Sequence, residues 1–341
     1  MFAAELALVA RSRGVGTHLL SREALESLAD AADLSAFTRL LTRLGTNFEP
    51  IGDAPDLDAI ERAAGRTAAA HMRTLLRWQK RRPGVLDVFI ADQERRSLRA
   101  LLRGALQGAP ASARIAGLLP TPGLPVAALA ELAKQASPSA VVAHLVVLRH
   151  PDSGRLLPLV AKAQPEIFPI EVALLRGLAA RASAAAKPGD STLREYVRER
   201  IDLGNVQNAM LLAAGPQDVD PGDAFVGGGR WLSGEHFATA AAATSRHACL
   251  ASVTSALAGS PLAGMLPVVA DDITSMERAF LATLMERLAR EARMQPLGSA
   301  PLLRVLLRIE AQSRDVRALA WGAALGTPPS MRKQYLVTPW Q

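Results

Sequence analysis

One helical paragraph occurs three times along this 341-residue chain, so whatever fold the chain adopts must satisfy it three times. Glu61, Glu171 and Glu277 each open a long run of helix formers, at offsets of 110 and 106 residues. Downstream, a second mark recurs in register: Ser97–Leu98–Arg99, Asn205–Val206–Gln207 and Asp315–Val316–Arg317. Upstream, Asp33, Ser137 and Ser245 each start a helix. A solenoid unit is only about 20–50 residues long, so the period reads as copies of a small helical domain. A triplicated body favours a shaped adaptor over a single catalytic cleft.

Each copy begins with a helical hairpin. Ala24, Leu25, Leu28, Ala29 and Ala32 keep helical spacing, as do Ala128, Leu129, Leu132, Ala133 and Ala136; Phe237, Ala240 and Ala241 form a shorter third stripe. The hairpin turns at a capping residue, and in Ser137–Pro138 a hydroxyl cap precedes a proline preset for the first helical position. A polar segment follows in each copy (Thr46–Asp58, Pro151–Pro169, Ser260–Asp272). The glutamate then sits at the start of the next helix, where it complements the helix dipole or closes a capping box. That helix is expected to stop at Pro83–Gly84, Pro188–Gly189 and Leu297–Gly298, with another helix over Val85–Leu106, Thr192–Ala214 and Ala300–Leu325. Glycine-bearing turns near Gly123 and Gly229 divide an all-α chain into repeats over 1–122, 123–229 and 230–341.

Composition agrees. Hydrophobic residues are 49% and rich in the helix formers Ala and Leu, whereas aromatics are 4%, too few for a sandwich or barrel. The single cysteine, Cys249, excludes an intrachain disulfide framework and a cysteine-based zinc site. Glu5 interrupts the first apolar run with no basic region before it, so no signal peptide is expected. No window approaches the ~18 apolar residues of a membrane span, and membrane association is expected only through a partner.

Several motifs fail on inspection. Gly227–Gly228–Gly229 lacks the lysine and hydroxyl of a phosphate loop and follows no strand. Asp218, Asp220 and Asp223 resemble half a calcium loop, but Pro221 interrupts them and Gly229 stands where the bidentate glutamate belongs. The six histidines show no paired ligand spacing. Catalytic, metal and cofactor-binding residues are therefore expected to be none. Two basic clusters remain. Arg95, Arg96, Arg99 and Arg103 lie opposite the Leu98, Leu101, Leu102, Ala105 face of one helix; Arg73, Arg77, Lys80, Arg81 and Arg82 form the other, with Trp78 the one aromatic nearby. The net charge of +7 suits an acidic partner, nucleic acid or an anionic membrane equally, or a plain solvated surface. The first cluster is the candidate partner interface. A free-standing basic binding module, for nucleic acid or as a protein scaffold, and an enzyme with its site between repeats stay open as alternatives.

The order of several segments resembles the C subunit of the prokaryotic V/A-type ATPases, whose counterpart in the eukaryotic vacuolar enzyme is the d subunit. The segment Tyr196 to Val206, with Asp202 and Asn205, is followed by Phe225–Val226, the glycine run and Trp231. In the first copy Glu94, Ser97, Leu98 and Leu102–Arg103–Gly104 fit the same pattern; in the third Gln312 to Arg317 is followed by Gly322, Gly326 and Pro328. Coverage runs from Arg11 and Leu19–Leu20–Ser21 to Val337, with Gln312 where the family carries an acid and Ser97 where it favours asparagine. The resemblance implies a funnel of three pseudo-threefold helical domains without catalytic residues or cofactor. It further implies a peripheral protein on the cytoplasmic face of a membrane proteolipid ring, which receives the central axle subunits and transmits torque for proton or sodium transport.

Overall fold

The computed structural model describes residues 2–45, 48, 56–79, 84–213, 215, 219–260, 262–264, 266 and 273–338. Seventeen helices and no strand occur among them. In chain order they are α1 (Phe2–Gly16), α2 (Arg22–Ala29), α3 (Leu34–Leu44), α4 (Leu57–Leu76), α5 (Val85–Leu106), α6 (Ala111–Ile115), α7 (Val126–Lys134), α8 (Pro138–Val147) and α9 (Ser153–Val160). Then follow α10 (Ile167–Ala186), α11 (Ser191–Leu212), α12 (Pro221–Ala224), α13 (Gly234–Ala241), α14 (Arg246–Ala256), α15 (Ile273–Met294), α16 (Ser299–Ala324) and α17 (Pro329–Gln334). The expected Lys80, Arg81, Arg82 and Pro83, Asp218, and most of the segments after Thr46 and Ser260 lie outside the described residues.

The chain divides into two compact units: 1–82 with 116–120 and 281–341, and 83–115 with 121–280. In the first unit the α2–α3 hairpin packs on α16. Leu25, Leu28, Phe37 and Leu41 are fully buried there with Ile60 of α4 and Val316 and Ala320 of α16. In the second unit α7 and α8 pack on α5, α13 and α14 on α11, and α5 lies along α10. Each hairpin therefore packs on the second long helix of the copy before it in sequence, and the first hairpin on that of the last copy. Close approach of α10 and α11 needs Gly204, since a Cβ there would press on the side chain of Leu175.

The expected hairpin caps form. Asp33, Ser137 and Ser245, all in extended conformation, accept hydrogen bonds from the backbone N–H groups of Ala36, Ala140 and Ala248. Each satisfies one of the orphan donors of a helix start. Replacing any of the three with alanine should cost about 1 kcal/mol, read as a lower urea midpoint by circular dichroism; three neutral substitutions would mean that water serves as well.

The glutamates depart from expectation. Glu61, Glu171 and Glu277 each occupy the fifth position of their helix, beyond the first turn, and none serves as a cap. Asp56 caps α4 instead, accepting from the Asp58 N–H. The segment Pro151–Pro169 also contains α9, and α4 stops at Leu76, well before Gly84.

A further repeat appears after α5 and α16. Gly104 and Gly322, Ala109 and Thr327, and Arg114 and Arg332 are each 218 residues apart. In both copies the arginine donates from Nε to the carbonyl of the middle residue at 2.6 Å and packs on the glycine, where a Cβ would meet its side chain. In both copies the middle residue's N–H bonds to the glycine carbonyl at 2.9 Å. The arginine then reaches a neighbouring hairpin: Arg114 the Gln135 carbonyl, Arg332 the Ala29 and Ala31 carbonyls.

Candidate functional site

The four arginines of α5 lie mostly inside the second unit, and each faces a carboxylate. Arg95 and Arg96 approach Asp92 at 3.3 Å and 3.0 Å, joined by Arg200 of α11 at 2.8 Å. Arg99 lies 3.3 Å from both Glu171 and Glu277, and Arg103 donates from Nε to Glu171 at 2.8 Å. A solvated stripe does not describe them: the side chains of Arg95, Arg96 and Arg99 are 8%, 16% and 15% exposed, and only that of Arg103 reaches 39%. The reason is that α5 is buried on several faces, including Asp92, Gln93, Glu94, Arg95 and Ser97 besides its leucines. The sequence left open a solvated face or a partner face; pairing with carboxylates of the chain itself is a use of these side chains that it did not disclose.

The recurring marks of the sequence are partners of each other. Glu171 of one copy meets Arg99 from the triplet of the copy before, and Glu277 accepts from Gln207 of the next triplet at 3.1 Å. In the other unit Glu61 feels the charge of Arg317, the matching triplet residue of the last copy, and accepts from Trp321 Nε1 at 2.8 Å. Trp321 stands 218 residues beyond Arg103, so the same helix position serves both times.

Two more polar groups were not foreseen. Asp92 is 1% exposed. Burial raises its carboxyl pKa, but the charges of Arg200, Arg96 and Arg95 outweigh that and hold it well below the usual carboxylate range. The i, i+3 and i, i+4 spacing of Asp92 from Arg95 and Arg96 was the available sequence signal. Glu94 takes Arg181 at 2.7 Å and the Thr121 hydroxyl at 3.0 Å, while Arg181 also binds Asp152 at 2.8 Å. Buried His150 accepts the Asp152 N–H on Nδ1 at 3.2 Å, which leaves the proton on Nε2, 3.4 Å from Glu94. Burial acts to raise the Glu94 pKa, and His150 and Arg181 bring it below the ordinary value.

The glycine run finds its explanation here. Asp202, fully buried, accepts backbone N–H bonds from Arg230, Trp231 and Leu232 at 2.8, 3.0 and 3.2 Å. A Cβ on Gly229 would collide with that carboxylate, and one on Gly123 with the carboxylate of Glu94. The glycines admit a buried acid of the protein itself, where a phosphate loop would admit a ligand.

Chemically, these groups are spent on one another: Asp92, Glu94, Asp152, Glu171 and Glu277 each hold a guanidinium. The cavity beside Arg95, Arg99, Glu171 and Gln207 measures about 10 Å³, room for about one water. Among the described residues no group of three His, Cys, Asp or Glu side chains could hold a metal ion. No helix among them is long and apolar enough to cross a membrane. Cys249 is buried, its thiol pushed up to about 11 by burial.

Comparison with known proteins gives these interlocked helices a family. The chain is 30% identical over 146 residues to the A-type ATP synthase C subunit of Haloferax volcanii, a match covering 42% of this chain and 41% of that protein. It is 29% identical over 143 residues to the A-type ATP synthase C subunit of Haloquadratum walsbyi, covering 41% of each. These alignments span about two fifths of the relatives' length. The model of the ATP synthase (C/AC39) subunit family, however, matches residues 8–335. With nearly the whole chain matched, and with an all-helical fold, this chain belongs to the ATP synthase (C/AC39) subunit family.

Proposed function

We propose that the chain is a non-catalytic central-stalk subunit of a V/A-type rotary ATPase. In this reading three helical copies, over 1–122, 123–229 and 230–341, form a socket. The socket seats the rotating axle subunits, rests on the cytoplasmic face of the membrane proteolipid ring, and passes torque between them during proton or sodium transport. The observation that carries the proposal is the family match over residues 8–335.

The polar pairs support it physically. A part that transmits rotation must resist shear between its helices. The interdigitated apolar core already resists sliding, and a guanidinium shared between carboxylates of different helices, as Arg99 is between Glu171 and Glu277, adds directional contacts that fix register. The same pairs weaken the nucleic-acid alternative, because the α5 arginines meet internal acids before any phosphate. Arg103, the most exposed of the four, keeps part of its side chain open to a partner while its guanidinium holds the buried Glu171 carboxylate.

The test is affinity purification of the tagged chain from membranes of cells that make the whole complex. Axle and proteolipid subunits should copurify, and Arg103→Gln, which leaves Glu171 its pair with Arg99, should weaken their retention without unfolding the chain. Recovery of the chain alone from membranes containing assembled ATPase would overturn the proposal.

A further inference from the structure

Arg308 of α16 is only 9% exposed, yet it has little to hold it. Its Nη1 reaches the carbonyl of Gly16, the last residue of α1, at a long 3.5 Å, and its Nη2 is buried with no hydrogen-bond partner. Other buried arginines without a full ion pair are caged: Arg332 binds three carbonyls at 2.6, 3.1 and 2.6 Å. Arg304 lies one turn before Arg308 on the same face of α16, half-buried. Arg293 stands on the last turn of α15, and Arg13 of α1 donates to the Pro296 carbonyl at 3.1 Å, tying α1 to the α15–α16 turn.

No carboxylate among the described residues answers this group. Burial, then the charge of Arg304, lowers the Arg308 pKa to about 10, so it stays protonated at neutral pH. Burial, then the charge of Arg293, lowers that of Arg304. The C-terminal dipole of α1 supplies about half an elementary negative charge at most, less than one of the guanidiniums carries. Buried charge of one sign is costly unless an opposite charge joins it.

We propose that Arg304 and Arg308, with Arg293 at the rim, bind a phosphate-class oxyanion, either free phosphate or a phosphate monoester. A dianion matches two guanidiniums in charge. Its tetrahedral oxygens give each planar fork two acceptors, and its second charge balances both guanidiniums, which a single carboxylate does not.

Titration calorimetry on the purified chain tests the site, with sodium phosphate compared with sodium chloride at matched ionic strength. Saturable binding to one site is expected for phosphate alone. Arg304→Gln, at a half-buried position, should weaken it at least about tenfold, the loss of one charge-assisted hydrogen bond. Arg308→Lys, which keeps the charge, should weaken it less. A second arm uses phosphatidylcholine vesicles with phosphatidic acid at about one lipid in five, an anionic surface by itself. Binding in both arms assigns the site to any accessible phosphomonoester; binding of inorganic phosphate alone assigns it to the free ion. Phosphate heats no greater than chloride heats, or Arg304→Gln binding like the unaltered chain, would overturn the proposal.

Discussion

Replacing Asp92 with alanine is expected to destabilise the second unit by about 3–5 kcal/mol, the cost of stranding a buried charge. Arg95 and Arg200 are 7% and 5% exposed, and both use Asp92. Removing the acid leaves guanidiniums that water reaches poorly and that repel one another, as the mutual effect of Arg200 and Arg96 on Arg95 shows. Urea unfolding followed by circular dichroism measures the loss. A change below about 1 kcal/mol, the range of exposed pairs, would mean that the cluster is hydrated and carries little of the fold. The pH dependence adds a signed test. The Asp92 carboxyl titrates below its unfolded value, so its stabilisation is fully present above about pH 3.8 and is lost as pH falls through the folded value. The gap between the unaltered chain and Asp92→Ala should therefore narrow in acid.

What the sequence disclosed was local chemistry. The caps at Asp33, Ser137 and Ser245 depend on residues three positions away, and the α5 boundaries Val85–Leu106 on the leucine period and the preceding glycine. The register of Glu61, Glu171 and Glu277 with the downstream triplets was visible, but its meaning was not. Glu171 meets Arg99 from 72 residues upstream, and which helix lies across from it is decided by packing that no local window contains. Reading the α5 arginines as a stripe failed for a related reason. Helical periodicity separates an apolar face from a polar one, and it takes the polar face for surface. When the neighbours α10 and α15 present the carboxylates of Glu171 and Glu277, the polar face is interior as well. The helix α9 escaped because Pro158 reads as a breaker, although it lies in the second of two turns and costs few hydrogen bonds. The buried polar residues Glu94, Asp202 and Asn205 stood among those that carry the family likeness, yet nothing in their spacing told which loop each would hold.

Asp202 gives the second large effect, and the copies explain it. In each copy an acceptor on the second long helix holds the chain just before a hairpin. Glu94 takes the Thr121 hydroxyl before α7, Asp202 takes three N–H groups before α13, and Gln312 takes the Leu20 N–H at 2.6 Å before α2. A partner acceptor lies three residues on: Asn205 binds the Val226 N–H at 3.0 Å and Asp315 the Val337 N–H at 2.8 Å. Asp202→Ala should strand the donors of Arg230, Trp231 and Leu232, each at about 1–3 kcal/mol when water does not replace the carboxylate, for a total near 3 kcal/mol or more. By contrast Glu195→Ala, which removes only the exposed pair to Arg230, should cost less than about 1 kcal/mol. Equal effects of the two substitutions would mean that water enters the Asp202 site freely. The pH response should oppose that of Asp92. Burial raises the Asp202 carboxyl even against its three N–H bonds, so its titration favours the fold below the unfolded pKa and loses that contribution as pH rises through the folded one. The deficit of Asp202→Ala should accordingly widen on moderate acidification while that of Asp92→Ala shrinks. Urea midpoints collected for both variants over one pH series would separate an acid held by arginines from an acid held by backbone.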